Sequence, residues 1–122
     1  MAGQLTIDTL KASSGVLATQ NGMTGIAKAW CNYNGNTQTI TGSFNVSSVT
    51  YVSAGQCTVN FTTAMPNANY ATALSQARTA GSSDWGYMGT YSASTTSISL
   101  TTVAVSGTRV NFDSVSVSVF SS

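Results

Sequence analysis

The stretch SVSVSVF at 114–120 constrains this chain more than any other. Val115, Val117 and Val119 recur at every second position, with Ser116, Ser118 and Phe120 between them. Strict alternation of β-branched residues fits a strand with one buried face; on a helix the same residues would scatter around the cylinder. CTVNFT at 57–62 repeats the pattern, placing Cys57, Val59 and Phe61 on one side. TSISLTTVAV at 96–105 continues it through Ile98 and Leu100, then Val103 and Val105. GIAKAWCNY at 25–33 alternates as well, with Ile26, Lys28, Trp30 and Asn32 on one face and Ala27, Ala29, Cys31 and Tyr33 on the other.

Punctuation between these segments comes from Asn-Gly at 21–22 and 34–35 and from Gly-Ser or Ser-Gly pairs, since Pro66 is the one proline. TITGSFNVSSVTYV at 39–52 reads as one or two strands, with Gly42 as a bulge or bend. NANYATALSQA at 67–77 is alanine-rich but alternates through Tyr70, Thr72, Leu74 and Gln76, so a strand is expected there too. LTIDTLKASSG, near the start, reads equally as an extended arm, a short strand or a helical turn. Short strands separated by turns at intervals of about ten residues predict an all-β domain, a single antiparallel β-sandwich or barrel-like fold. The expected division is an N-terminal arm over 1–22 and the β domain over 23–122.

The 122 residues suit one core, and charged side chains make up 6% of them against a typical quarter. Serine and threonine take their place, giving a hydroxyl-covered surface of the kind that buries against copies of itself. Lys11, Lys28, Arg78 and Arg109 stand against Asp8, Asp84 and Asp113, a net charge of +1. Four dispersed cations make no basic stripe, which argues against nucleic acid as a partner. No apolar run reaches the roughly 20 residues of a membrane helix, and the N-terminus lacks the pattern of a signal peptide.

Catalytic inventories fail one after another. Without histidine, a Ser-His-Asp or Cys-His arrangement cannot be assembled within the chain. Three aspartates and no glutamate make a poor source of paired carboxylates, and aspartate beside serine and glycine usually serves turns. Cys31 and Cys57 lack a C-x-x-C spacing and the four Cys/His ligands of structural zinc, so neither a metal nor another cofactor is expected. The two cysteines could pair if their strands are neighbours; buried free thiols are the favoured reading. Lys28 falls on the strand face opposite Cys31, which points the ammonium away from the thiol. No enzyme is expected.

Recognition remains. Tyr33, Asn34, Asn36, Tyr51, Arg78, Asp84, Trp85, Tyr87 and Tyr91 fall at or near predicted turns. Rings cover apolar C–H faces of sugars while amides and a guanidinium satisfy hydroxyls. SSDWGYMG at 82–89 concentrates an acid, an indole and a phenol between flexible residues. The candidate ligand-binding residues are therefore Trp85, Tyr87, Asp84, Arg78, Tyr33 and Asn34, with Trp85 and Tyr87 foremost. Lys28 and Trp30, sharing a face, are candidates for a subunit interface.

TGIAKAWCNYNGN and SFNVSSVTYVSAGQCTVNFTTAMPNANYA resemble a domain that recurs in bacteriophage tail fibres and related virion proteins. The resemblance rests on Ala27 to Trp30, Tyr33 to Gly35, Ser43 to Ser48, Thr58 to Thr62, and Pro66, Ala68 and Tyr70, within residues 24–76. Cys31 and Cys57 depart from it, standing where an apolar or aromatic residue is common. The resemblance implies a β-rich homotrimeric virion component, with other virion proteins as partners and a host cell-surface polysaccharide as ligand. It makes the N-terminal segment a candidate arm for trimer association or attachment. The rival is a structural head fibre or capsid decoration protein without a ligand.

Overall fold

The valines at 115–119 lie where their alternation requires. All three are buried, while Ser116, Ser118 and Phe120 are half-buried on the other side of the strand. The computed structural model describes residues 3, 26–77 and 85–121, which contain eight strands. These are β1 (Ala29–Tyr33), β2 (Ile40–Phe44), β3 (Val46–Ser53), β4 (Gln56–Phe61), β5 (Ala71–Ala77), β6 (Gly86–Ala93), β7 (Ser97–Ala104) and β8 (Ser114–Phe120). The arm expected over 1–22 lies outside the described residues apart from Gly3.

Two four-stranded antiparallel sheets pack as a sandwich, with orders β2-β1-β8-β5 and β3-β4-β7-β6. The central pair of each sheet supplies most of the core. Cys31 stands opposite Val117 between β1 and β8, and Val59 stands opposite Ile98 between β4 and β7. Phe61, Met65, Leu100 and Phe112 complete the layer between the sheets. Each aliphatic side chain buried in this way contributes about 1.5–3 kcal/mol.

The segment at 39–52 is two strands. The break falls at Asn45 rather than at Gly42, and there the chain crosses from one sheet to the other. The irregularity near Gly42 is a change of register opposite Asn32 and Tyr33. The segment at 67–77 is a strand from Ala71 onward, with Thr72, Leu74 and Gln76 on its half-buried side. Val105 departs from the expected alternation: β7 ends at Ala104 and Val105 is exposed in the following turn.

One correction concerns the first strand, which begins at Ala29. Lys28 lies just outside it and is 5% exposed, so it is not open to solvent as Trp30 is. Its amide donates to the Val119 carbonyl (2.7 Å) and its carbonyl accepts from Asn45 Nδ2 (3.0 Å). Those two backbone bonds tie Lys28 to the place where the sheets join. Burial within the chain removes it as a subunit-contact residue. Trp30 is exposed beside Phe44, its register partner on β2.

Candidate functional site

Strand β6 is an edge of its sheet and carries the most exposed aromatic residues described. Trp85, just before it, is 80% exposed; Tyr87 and Tyr91 are 62% and 60% exposed. Register places Met88 opposite Thr102 and Thr90 opposite Leu100. Thr102 and Leu100 are buried, which turns the alternate residues Tyr87 and Gly89 to the outer face.

That face reads as rows across three elements. Tyr87 is opposite Val103, and Val103 bridges to Arg109 where the chain folds back after β7. Gly89 is opposite Thr101, and Thr101 is opposite Gln56. Val103 is only 8% exposed although it lies on the outer side, because Tyr87 and Arg109 flank it.

Arg109 then reaches across the rows. Its Nη1 donates to Gln56 Oε1 (3.3 Å), and its guanidinium carbon lies 5.5 Å from the centroid of the Tyr91 ring. A guanidinium over a ring is favoured by the ring's negative face, and the pairing fixes both groups. The register of the strand shifts between Thr90 and Ser92, an irregularity that re-aims the tyrosine between them. Between the tyrosines Gly89 leaves a gap: a β-carbon built there would meet nothing within 4 Å. The outer flank of β6 thus carries two exposed rings, with open space at Gly89 between them along the strand and a guanidinium alongside Tyr91.

Other expected site residues lie elsewhere. Tyr33 is 3% exposed and belongs to the core, a second correction. Five residues of regular strand end at Tyr33 rather than before it, so alternation carries it inward with Cys31. Asn34 shapes the β1–β2 turn; its Oδ1 accepts from the amides of Asn36 (2.8 Å) and Thr37 (3.2 Å). Arg78 and Asp84 lie outside the described residues. Of the four candidates among the described residues, Trp85 and Tyr87 are the ones that lie on one exposed edge.

Tyr33 and the two thiols make a closed polar corner. Cys31 and Cys57 are free and buried. Burial pushes the Cys31 thiol up to about 11, and burial also raises Cys57 against hydrogen bonds with Gln38 and Tyr33 that lower it. Burial raises the Tyr33 phenol far above its usual range, helped by the charges that Cys57 and Cys31 would carry. Thiols held protonated in this way are poor nucleophiles at neutral pH. A cavity of about 10 Å³ beside Tyr33, Cys57 and Thr102 has room for about one water molecule. Among the described residues no group of acids and cysteines is placed to hold a metal ion.

Arg109, Gly89 and the pairing with Tyr91 are absent from the sequence-based candidates. The sequence carries a signal for them: Tyr87, Gly89 and Tyr91 keep the period of a strand, although the serines and glycines around them read as a loop. Comparison with protein-family models, with curated proteins and with solved structures returned no match.

Proposed function

We propose that this domain is a non-catalytic phage virion component of tail-fibre type that recognises a host-surface saccharide through the outer flank of β6. The observation that carries the reading is the pair of exposed rings, Tyr87 and Tyr91, held on a strand on either side of Gly89. Rings on a rigid sheet stack on sugar C–H faces at little cost in side-chain freedom. Trp85 extends the same edge. The buried, protonated thiols and the absence of histidine from the sequence support a binding role over a catalytic one.

The accompanying assembly is a homotrimer within the virion, with Trp30 and Phe44 on the outer face of β1 and β2 as its subunit contact. Their exposure on a hydroxyl-rich sheet supports that choice. Light scattering on the wild type and on Trp30→Ala tests it: a trimer that the substitution dissociates is expected, and a monomeric wild type would overturn it. For the ligand, a glycan array and host-cell binding are measured with Tyr87→Ala and Tyr91→Ala. Each substitution is expected to weaken binding about tenfold with the melting temperature unchanged. Undiminished binding by both variants would remove the β6 flank as the site.

A further inference from the structure

Resting on that reading, the geometry points to an anionic saccharide as the ligand, with its acidic group on Arg109 and a sugar ring in the slot over Gly89. Arg109 is exposed and sits on the rim of the slot, one hydrogen bond from Gln56 and stacked by Tyr91. A guanidinium has five N–H donors in a planar fork; Gln56 takes one, leaving enough for a two-oxygen acceptor. Among the described residues no carboxylate pairs with Arg109. Among the described residues, those that the register places beside Arg109 are uncharged, so its guanidinium dominates the field that they present to an approaching ligand. The side chain is also pre-positioned: its contacts with Gln56 and Tyr91 hold the fork over the same face that Tyr87 and Gly89 occupy. Little ordering remains to be done on binding. Gly89 supplies the space, since any side chain there would stand between the two rings.

A neutral sugar would use the rings and leave the guanidinium hydrated. An acidic one would use both at once. A carboxylate and a phosphate ester offer the same pair of oxygens, so a uronate-containing polysaccharide, its carboxyl-reduced form and a phosphate-bearing polysaccharide are the probes.

Binding of the full chain is measured by surface plasmon resonance at low and high salt. The wild type is expected to hold at least one acidic polymer about 10- to 100-fold more tightly than the carboxyl-reduced one, the range of a charge-assisted hydrogen-bonded pair. That preference should shrink as salt rises. Arg109→Gln is expected to abolish the preference while still holding the reduced polymer, and Arg109→Lys to retain part of it. Gly89→Val should block all three polymers without lowering the melting temperature, because its branches fill the slot and suit a strand. Equal wild-type binding to acidic and reduced polymers would overturn the assignment of Arg109 and leave the aromatic site standing. A preference that survives in Arg109→Gln would overturn it in the same way. Binding to none of the three would overturn this inference together with the saccharide reading.

Discussion

Asn45 pairs with Thr63 through its side chain as one strand pairs with another. Its Oδ1 accepts from the Thr63 amide (2.7 Å) while its Nδ2 donates to the Thr63 carbonyl (3.1 Å). The same Nδ2 reaches the Lys28 carbonyl (3.0 Å) on the other sheet. Asn45 takes a φ of 55° between β2 and β3, where the chain changes sheets. Asparagine suits both demands, since it tolerates the left-handed region and carries a carboxamide that copies a peptide group.

Asn45→Ala is therefore expected to cost about 2–4 kcal/mol, combining lost hydrogen bonds with left-handed strain. Asn45→Gly keeps the backbone freedom and should cost about 1 kcal/mol less than the alanine variant. Urea midpoints of the two variants check this. Equal loss in both would mean that the backbone angle contributes nothing at the sheet crossing.

Two glycines on β6 are expected to behave in opposite ways. A β-carbon at Gly86 would collide with the carbonyl oxygen of Val103 and lie 2.9 Å from the Phe112 ring. A backbone atom in a paired strand cannot step aside, so Gly86→Ala should cost more than about 3 kcal/mol. At Gly89 nothing stands in the way, and Gly89→Ala should stabilise by about 0.5–1 kcal/mol through the unfolded chain. Thermal melts of the pair test the contrast; similar melting temperatures would contradict it.

Stability is expected to fall in alkali because buried thiols and a buried phenol hold their protons more tightly in the folded chain. Cys31 rises from 9.0 to about 11 on folding, and Cys57 and Tyr33 also rise. An unfolded chain thus releases protons that the folded chain retains, so ΔG of unfolding decreases as pH climbs through the unfolded thiol value toward the folded one. Below that window the contribution is fully present. Denaturant midpoints should be flat up to about pH 8 and fall between about pH 9 and pH 11. Cys31→Ala should flatten part of that slope; an unchanged profile would dissociate it from the buried thiol.

Much of the fold is legible because alternation writes burial directly into the chain. Val115, Val117 and Val119 need no partner information to declare their inner face, nor do Cys57, Val59 and Phe61. Lys28 is different: it is buried, and its carbonyl bonds to Asn45 at the sheet crossing, a residue 17 positions away, which its local alternation does not announce. Tyr33 misleads because Asn-Gly follows it directly and marks a turn, although the strand runs through Tyr33 itself. The candidate site was half legible. Trp85 and Tyr87 stand out by composition, but Arg109 joins Tyr91 and Gln56 only because the chain folds back after β7. No local pattern encodes which side of a sheet a returning segment will cross.

Tyr70 provides a local test of how the β6–β7 turn is held. Its hydroxyl is shared between the carbonyls of Ser94 and Ser97, at 3.1 Å from each, and its ring meets Phe61 edge-on at 6.0 Å. The turn also closes on itself, with the Ser94 amide donating to the Ser97 carbonyl (2.9 Å) and Ser94 Oγ accepting from the Ser97 amide (3.1 Å). Removing only the hydroxyl keeps the ring against the core, so Tyr70→Phe is expected to cost about 1 kcal/mol. Removing the ring as well uncovers Phe61, and Tyr70→Ala should cost about 3 kcal/mol or more. Hydrogen exchange separates the two effects. In Tyr70→Phe protection should fall at the amides of residues 94–97 and remain at Val59 and Val117, whose exchange follows global unfolding. Faster exchange throughout both sheets would show instead that the phenol acts on the whole sandwich rather than on this turn.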